Sequence, residues 1–295
     1  MARYECIELS MKVFKYEKEL GLEEQILSQG STSIVLDAFS SADNVKMNKA
    51  VAASILPDRP PTSDLMSVAA ILVSTTWNLN DDIFSPKETW GARHTPYMKP
   101  ANKGHLGRES VNVNSTFGVI ASTIPLDKDL DVINPFSDDE IPGYFHLMVN
   151  IFLWERYFPK QCQEIKDKLA IGQMFVSMEC FFDSFDYGLK SVDNEIIVVP
   201  RDDNSSWMSK YLRVNKGPGI LKIDDKEYRI GRLLREITFS GVGFVEKPAN
   251  PESIIFKDYI SFASNGENSN ISFSELKNNS VLFLRKSENY LWQMN

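Results

Sequence analysis

The string Pro248-Ala249-Asn250-Pro251 constrains the fold most, because it decides how a strand must end. Two prolines fix φ and withhold backbone donors, and the asparagine between them is suited to bonding nearby backbone. The residues before it, Glu236 to Val245, read as a strand. A strand therefore runs into a sharp, fixed exit. The corner reads as architecture rather than chemistry.

A second locally determined unit lies upstream. Phe158-Pro159 opens a helix, and Cys162, Ile165 and Leu169 recur at three- and four-residue spacing. Gly172 stands where a C-terminal cap is wanted. The strand Phe175 to Cys180 follows directly and carries Ser177. A serine hydroxyl becomes a nucleophile only when a base takes its proton and a third group orients that base. The chain offers three histidines, His94, His105 and His146. His146, in the apolar run Phe145 to Trp154, reads as a satisfied core residue. His94, beside Arg93 at a helix end, reads as solvated or capping.

Elsewhere the pattern is coarser. Lys12 to Leu27 fits a helix, and Ser67 to Trp77 is apolar and β-branched enough for a strand. Asn78 to Asp82 turns the chain, and its two aspartates read as a solvated turn rather than a metal site. Ser85-Pro86 is an N-cap with proline at the first helical position, for a short helix through Trp90. Lys99 to Gly104 reads as loop, Thr116 to Ile124 as strand and Asp127 to Pro142 as an acidic surface excursion. A further strand is expected at Ile196 to Val199. Met174, Met178, Phe181, Phe182, Phe185 and Tyr187 read as packing. No internal repeat is visible.

Composition excludes more than it selects. Hydrophobic residues make up 43% and charged residues 24% of the 295 residues, as in a soluble globular chain. A net charge of −8 argues against a protein that grips nucleic acid, which needs a basic face. Three cysteines without CxxC spacing make no disulfide framework, so a reducing compartment is expected. The first residues carry acids where an export signal has an apolar run, and Val68 to Val73 is too short to span a bilayer. No Walker loop, dinucleotide loop, HExxH or Cys/His metal spacing is present.

Taken together, the strings Ser177-Met178-Glu179-Cys180, Leu234-Arg235-Glu236-Ile237-Thr238 and Pro248-Ala249-Asn250-Pro251 resemble the tailed-phage prohead maturation proteases. These serine peptidases have a fold similar to that of the herpesvirus assemblins. The stretch Asn78 to Phe84, Glu88-Thr89-Trp90, Thr95-Pro96 and Lys99-Pro100-Ala101-Asn102 resembles the family's region ahead of its catalytic histidine, and Phe117-Gly118-Val119-Ile120 its following strand. The resemblance implies an α+β fold, a curved and mostly antiparallel β-barrel with helices outside, assemblin-like. It implies Ser177 as nucleophile and His105 as base. Glu236 is the expected acid, with Asp81 and Asp82 as rivals.

Glu179 stands where many members have glycine. The expected layout is an N-terminal extension over 1–65, scaffold-binding or removable, a protease-like barrel over 66–257, and a Ser/Asn-rich linker and tail over 258–295. The implied activity is endoproteolysis of scaffold and major capsid protein, and of the chain itself, inside a prohead in the host cytoplasm. No cofactor, membrane or nucleic-acid partner is implied, and the chain is expected to self-associate. The alternative is a protease-fold scaffold or capsid component without catalysis.

Overall fold

The computed structural model describes residues 11–29, 31–32, 64–104, 116–134 and 141–256. Twelve strands and four helices are found among them, named here β1 to β12 and α1 to α4 in chain order. The main sheet runs β1 (Ser31–Thr32), β7 (Phe175–Phe181), β12 (Thr238–Val245), β4 (Pro100–Lys103), β5 (Thr116–Leu126), β6 (His146–Leu153), β2 (Met66–Ser74). All its neighbours are antiparallel except β12 and β4. It curls into a half-barrel that brings β2 beside β7. The architecture is α+β, as the resemblance implied.

Alternation explains the core. Val176, Met178 and Cys180 of β7 join Phe239, Val242 and Phe244 of β12 and Leu147, Val149, Ile151 and Leu153 of β6 inside the curl. β2 is buried along its whole length, which suits its unbroken apolar run. Its inner side chains, Val68, Ala70 and Leu72, meet that core. Ala69 and Ile71 pack outside with Ile124, Leu126, Met148 and Phe256.

A second sheet holds β10 (Ile220–Ile223), β11 (Lys226–Arg235), β8 (Ser184–Lys190) and β9 (Ile196–Val199), with β3 (Asp82–Ile83) parallel to β11. The two sheets share two chains. β7 passes into β8 at Phe182-Asp183, and β11 passes into β12 at Glu236-Ile237. Asp183 N–H bonds Arg235 O at 3.3 Å, so both strands of this long hairpin bend together. Glu236 takes the bend with φ of 54°.

Helix α3 (Pro86–Ala92) starts as the sequence dictates, with Ser85 Oγ accepting from Glu88 N–H at 3.3 Å. Helix α4 (Pro159–Ala170) ends in a Schellman arrangement. Gly172, at φ 71°, donates to Leu169 O, and Gln173 donates to Lys168 O. Cys162, Ile165 and Leu169 face the core, as their spacing requires.

Two expectations need correction. The helix read over Lys12 to Leu27 is two short ones, α1 (Lys15–Glu19) and α2 (Glu23–Ser28), broken where Gly21 turns to φ 70°. Nor do these residues stand apart from the barrel. Met11 and Ile26 belong to the core, and buried Glu17 accepts from Arg201 Nε and Nη2 at 2.8 and 2.7 Å. The expected extension over 1–65 thus contains a segment built into the fold; residues 33–63, and the tail from 257, lie outside the described residues. Finally, Pro100 to Lys103 is strand β4, not loop. Its proline sits at the first strand position, where the missing donor costs least.

Candidate active site

Ser177 points away from the barrel core, since Val176 and Met178 on either side of it point in. On this outer face Ser177 lies opposite Gly243 of β12, and Gly243 lies opposite Asn102 of β4. Two residues along, Glu179 lies opposite Gly241. The Glu179 carboxylate leans over that glycine so closely that an added Cβ would meet Oε2 at 2.9 Å and Pro100 O at 3.1 Å. Two residues without side chains, Gly241 and Gly243, therefore lie between Ser177 and Glu179 of β7 on one side and Pro100 and Asn102 of β4 on the other, with the Glu179 carboxylate over Gly241.

Polar groups beside these glycines hold unspent hydrogen-bonding capacity. Ser177 is 3% exposed, and no hydrogen bond of its hydroxyl is found among the described residues. Asn102 is fully buried, and its Oδ1 accepts from Thr116 Oγ1 at 2.6 Å. Its Nδ2 finds no partner among the described residues. Buried polar groups are normally satisfied, and exceptions mark strain, function or a missing ligand.

His105 lies outside the described residues. The chain leading to it runs along β12: Asn102 and Lys103 pair with Gly243 and Phe244, and Gly104 N–H donates to Phe244 O at 3.0 Å. Glu236 is not brought to Ser177. It stands seven residues before Gly243, on the order of 20 Å of extended chain away, at the outer bend of the hairpin. There it is exposed and hydrogen-bonded to Asp183. That bond, the like charge of Asp183 and the nearby Glu88 hold its carboxyl above the usual range. The carboxylate on the same face of β7, two residues from Ser177, is Glu179, a residue that sequence reasoning treated only as a departure from a family pattern. Its two-residue offset along the same strand was the available signal.

The rival acids are committed elsewhere. Asp81 and Asp82 are buried rather than solvated. Asp81 accepts from Trp77 Nε1 at 2.8 Å and Arg229 Nε at 2.7 Å, and also pairs with Arg213. Asp82 accepts from Arg232 Nε at 2.8 Å, while burial pushes its carboxyl upward against that attraction. This hub fastens β3 to β11. His94 is exposed on the turn after α3.

His146 does meet a serine. Its Nδ1 lies 2.9 Å from Ser74 Oγ and 4.0 Å from Glu252 Oε2, and Tyr144 O–H donates to that carboxylate at 2.6 Å. Ser74 Oγ also accepts from Asn250 Nδ2 at 3.2 Å. Serine and carboxylate converge on the same ring nitrogen, so this cluster cannot relay a proton from one to the other. It fastens the corner expected from Pro248-Ala249-Asn250-Pro251 onto β2 and β6. Asn250 Oδ1 accepts from Glu252 N–H at 3.1 Å, the local backbone bond its position suggested.

A cleft of about 320 Å³ opens at the barrel end, lined by Lys103, Phe117, Ile165, Met174, Phe244 and Val245 among others. Most of its apolar lining belongs to the core side of the sheet, the side opposite Ser177. Among the described residues no cluster of three or more His, Cys, Asp or Glu side chains could hold a metal ion. No helix among them is long and apolar enough to cross a membrane. No family model, curated protein or solved structure matches this chain.

Proposed function

We propose that the chain is a serine endopeptidase of the prohead-maturation type, with Ser177 as nucleophile and His105 as base. The observation that carries this is the Ser177 hydroxyl, for which no hydrogen bond is found among the described residues, lying across Gly243 from Asn102 on the strand that leads to His105. Ser177 attacks a substrate carbonyl, the imidazole takes the hydroxyl proton, and the tetrahedral oxyanion is held by hydrogen-bond donors. The imidazolium then returns the proton to the leaving amine, and water releases the acyl group by the same route. Gly243 places no side chain between Ser177 and Asn102, and Glu179 stands on the same face of β7, over Gly241. Glu179 takes the orienting role first assigned to Glu236.

In this reading the substrates are scaffold and major capsid protein, the chain also cuts itself, and cleavage proceeds inside an assembling prohead. The test is co-expression with the capsid and scaffold proteins of the same virus, followed by mass spectrometry of new termini. Defined cuts that vanish in Ser177→Ala support it. Uncut partners that nonetheless assemble with the chain favour the scaffold component without catalysis.

A further inference from the structure

Among the described residues, the edge of β7 that faces away from β12 receives little strand pairing: β1 covers it only at Cys180 and Phe181. At Val176 the edge is closed by one side chain. Val176 N–H donates to Ser253 Oγ at 3.3 Å, and Ser253 O–H donates back to Val176 O at 2.7 Å. A single hydroxyl thus satisfies both backbone groups that a neighbouring strand would otherwise pair.

Ser253 is itself held firmly. It is 3% exposed, and its N–H donates to Asn250 O at 3.1 Å. The next residues lie along β2: Ile71 N–H bonds Ile254 O at 2.9 Å, and Phe256 N–H bonds Ala69 O at 3.0 Å. Phe256 is fully buried against the outer face of β2 and β6. The Pro-Ala-Asn-Pro corner therefore delivers a short segment that spans the gap between β7 and β2, with Ser253 at its β7 side.

We propose that Ser253 is a positioning residue for the nucleophile: it fixes the Val176 peptide and so aims the Ser177 side chain over Gly243. The proposal rests on Ser177 being the nucleophile. It also gives the corner a role at the site that its sequence alone did not show. Ser253 touches no reacting atom. It acts through one peptide plane, where small displacements are costly to a reaction that needs near-attack geometry.

The test compares Ser253→Ala, Ser253→Thr and Ser74→Ala with the intact chain. Two readouts are used: the rate of covalent labelling of Ser177 by a fluorophosphonate, and amide hydrogen exchange at Val176. In Ser253→Ala labelling should slow about 10- to 100-fold, and Val176 exchange should accelerate while the rest of β7 stays protected. Ser253→Thr, which keeps the hydroxyl, should restore both. Ser74→Ala loosens the same seam without touching Val176, and should lower thermal stability alone. If Ser253→Ala fails to fold, Ser253→Cys replaces it, because a thiol bonds weakly.

Wild-type labelling in the alanine or cysteine variant overturns the proposal and leaves Ser177 standing. A threonine variant as slow as alanine overturns it as well. Absence of label on Ser177 in the intact chain removes the catalytic reading, and this proposal with it.

Discussion

Two serines of this molecule sit on strands of one sheet, and their surroundings differ in how far their hydrogen bonding is spent. Ser74 meets His146 and Asn250, and a carboxylate completes the group. Ser177 meets a strip of glycine and holds no bond among the described residues. A list of residue types would choose the first as a catalytic triad. Geometry speaks against the first, because the Ser74 cluster aims two partners at one nitrogen and seals a buried seam; the second is the serine of the proposed site. Satisfied polar groups fasten a fold, whereas buried groups with unspent hydrogen-bonding capacity point to strain, function or a missing ligand.

The sharpest way to break this contrast is to remove each hydroxyl in turn. Ser177→Ala should abolish proteolysis, a loss of about 10⁴-fold or more, with the melting temperature little changed. Ser74→Ala should cost about 1 to 3 kcal/mol of stability, because it strands Asn250 Nδ2 and the imidazole, and should leave turnover near normal. The histidines should divide in the same way: His105→Ala silences the enzyme and His146→Ala weakens the fold. Peptide-cleavage rates and chemical denaturation of all four variants check this. Exchange of the two phenotypes would reverse the assignment of the sites.

A smaller effect separates the two carboxylates. Glu179→Gln should lower turnover on the order of 10²- to 10⁴-fold, because an amide cannot stabilise the imidazolium. It should also move the acidic limb of the pH–rate profile downward, since a neighbouring carboxylate raises an imidazole's pKa. Glu236→Gln should leave turnover unchanged. Relief of its repulsion with Asp183 should hold or slightly raise the melting temperature at neutral pH. A profile that moves with Glu236 and ignores Glu179 would restore the original acid.

The distance between Glu236 and Ser177 shows what the sequence could and could not convey. Glu236 does not open the strand that the pattern suggested: it takes the bend before β12, which begins at Thr238, and the pattern said nothing about which end of the hairpin holds the serine. That distance is set by the register Gly243 to Ser177, a long-range pairing with no local signal. Helix α4 and its glycine cap were legible because capping and spacing are local. Strand β4 was not, because Pro100 and Asn102 disfavour strands in isolation and are held there by β12 and β5. The aspartates at 81 and 82 misled for the same reason: the arginines that bury them come from Arg213 to Arg232, far along the chain. Whatever depends on local chemistry was readable, and whatever depends on pairing across the sheets was not.

The weakest expected effect tests whether the seam cluster is structural in its response to pH. Burial holds the His146 imidazole below its ordinary pKa, against the raising influence of Glu252 and Asp127. A histidine whose folded value is depressed stays neutral in the native state while the unfolded chain takes up a proton at higher pH. Its contribution is therefore fully present above about pH 6.5 and is lost as pH falls through the folded value. Urea denaturation across that window should show stability falling on acidification, with Tyr144 O–H still holding Glu252 in place. His146→Gln should flatten that part of the curve, because no proton is then taken up. It should leave the acidic limb of the pH–rate profile where Glu179 and His105 set it. If His146→Gln instead moves that limb, the seam histidine takes part in turnover, and the distinction between a spent and an unspent serine fails at its base.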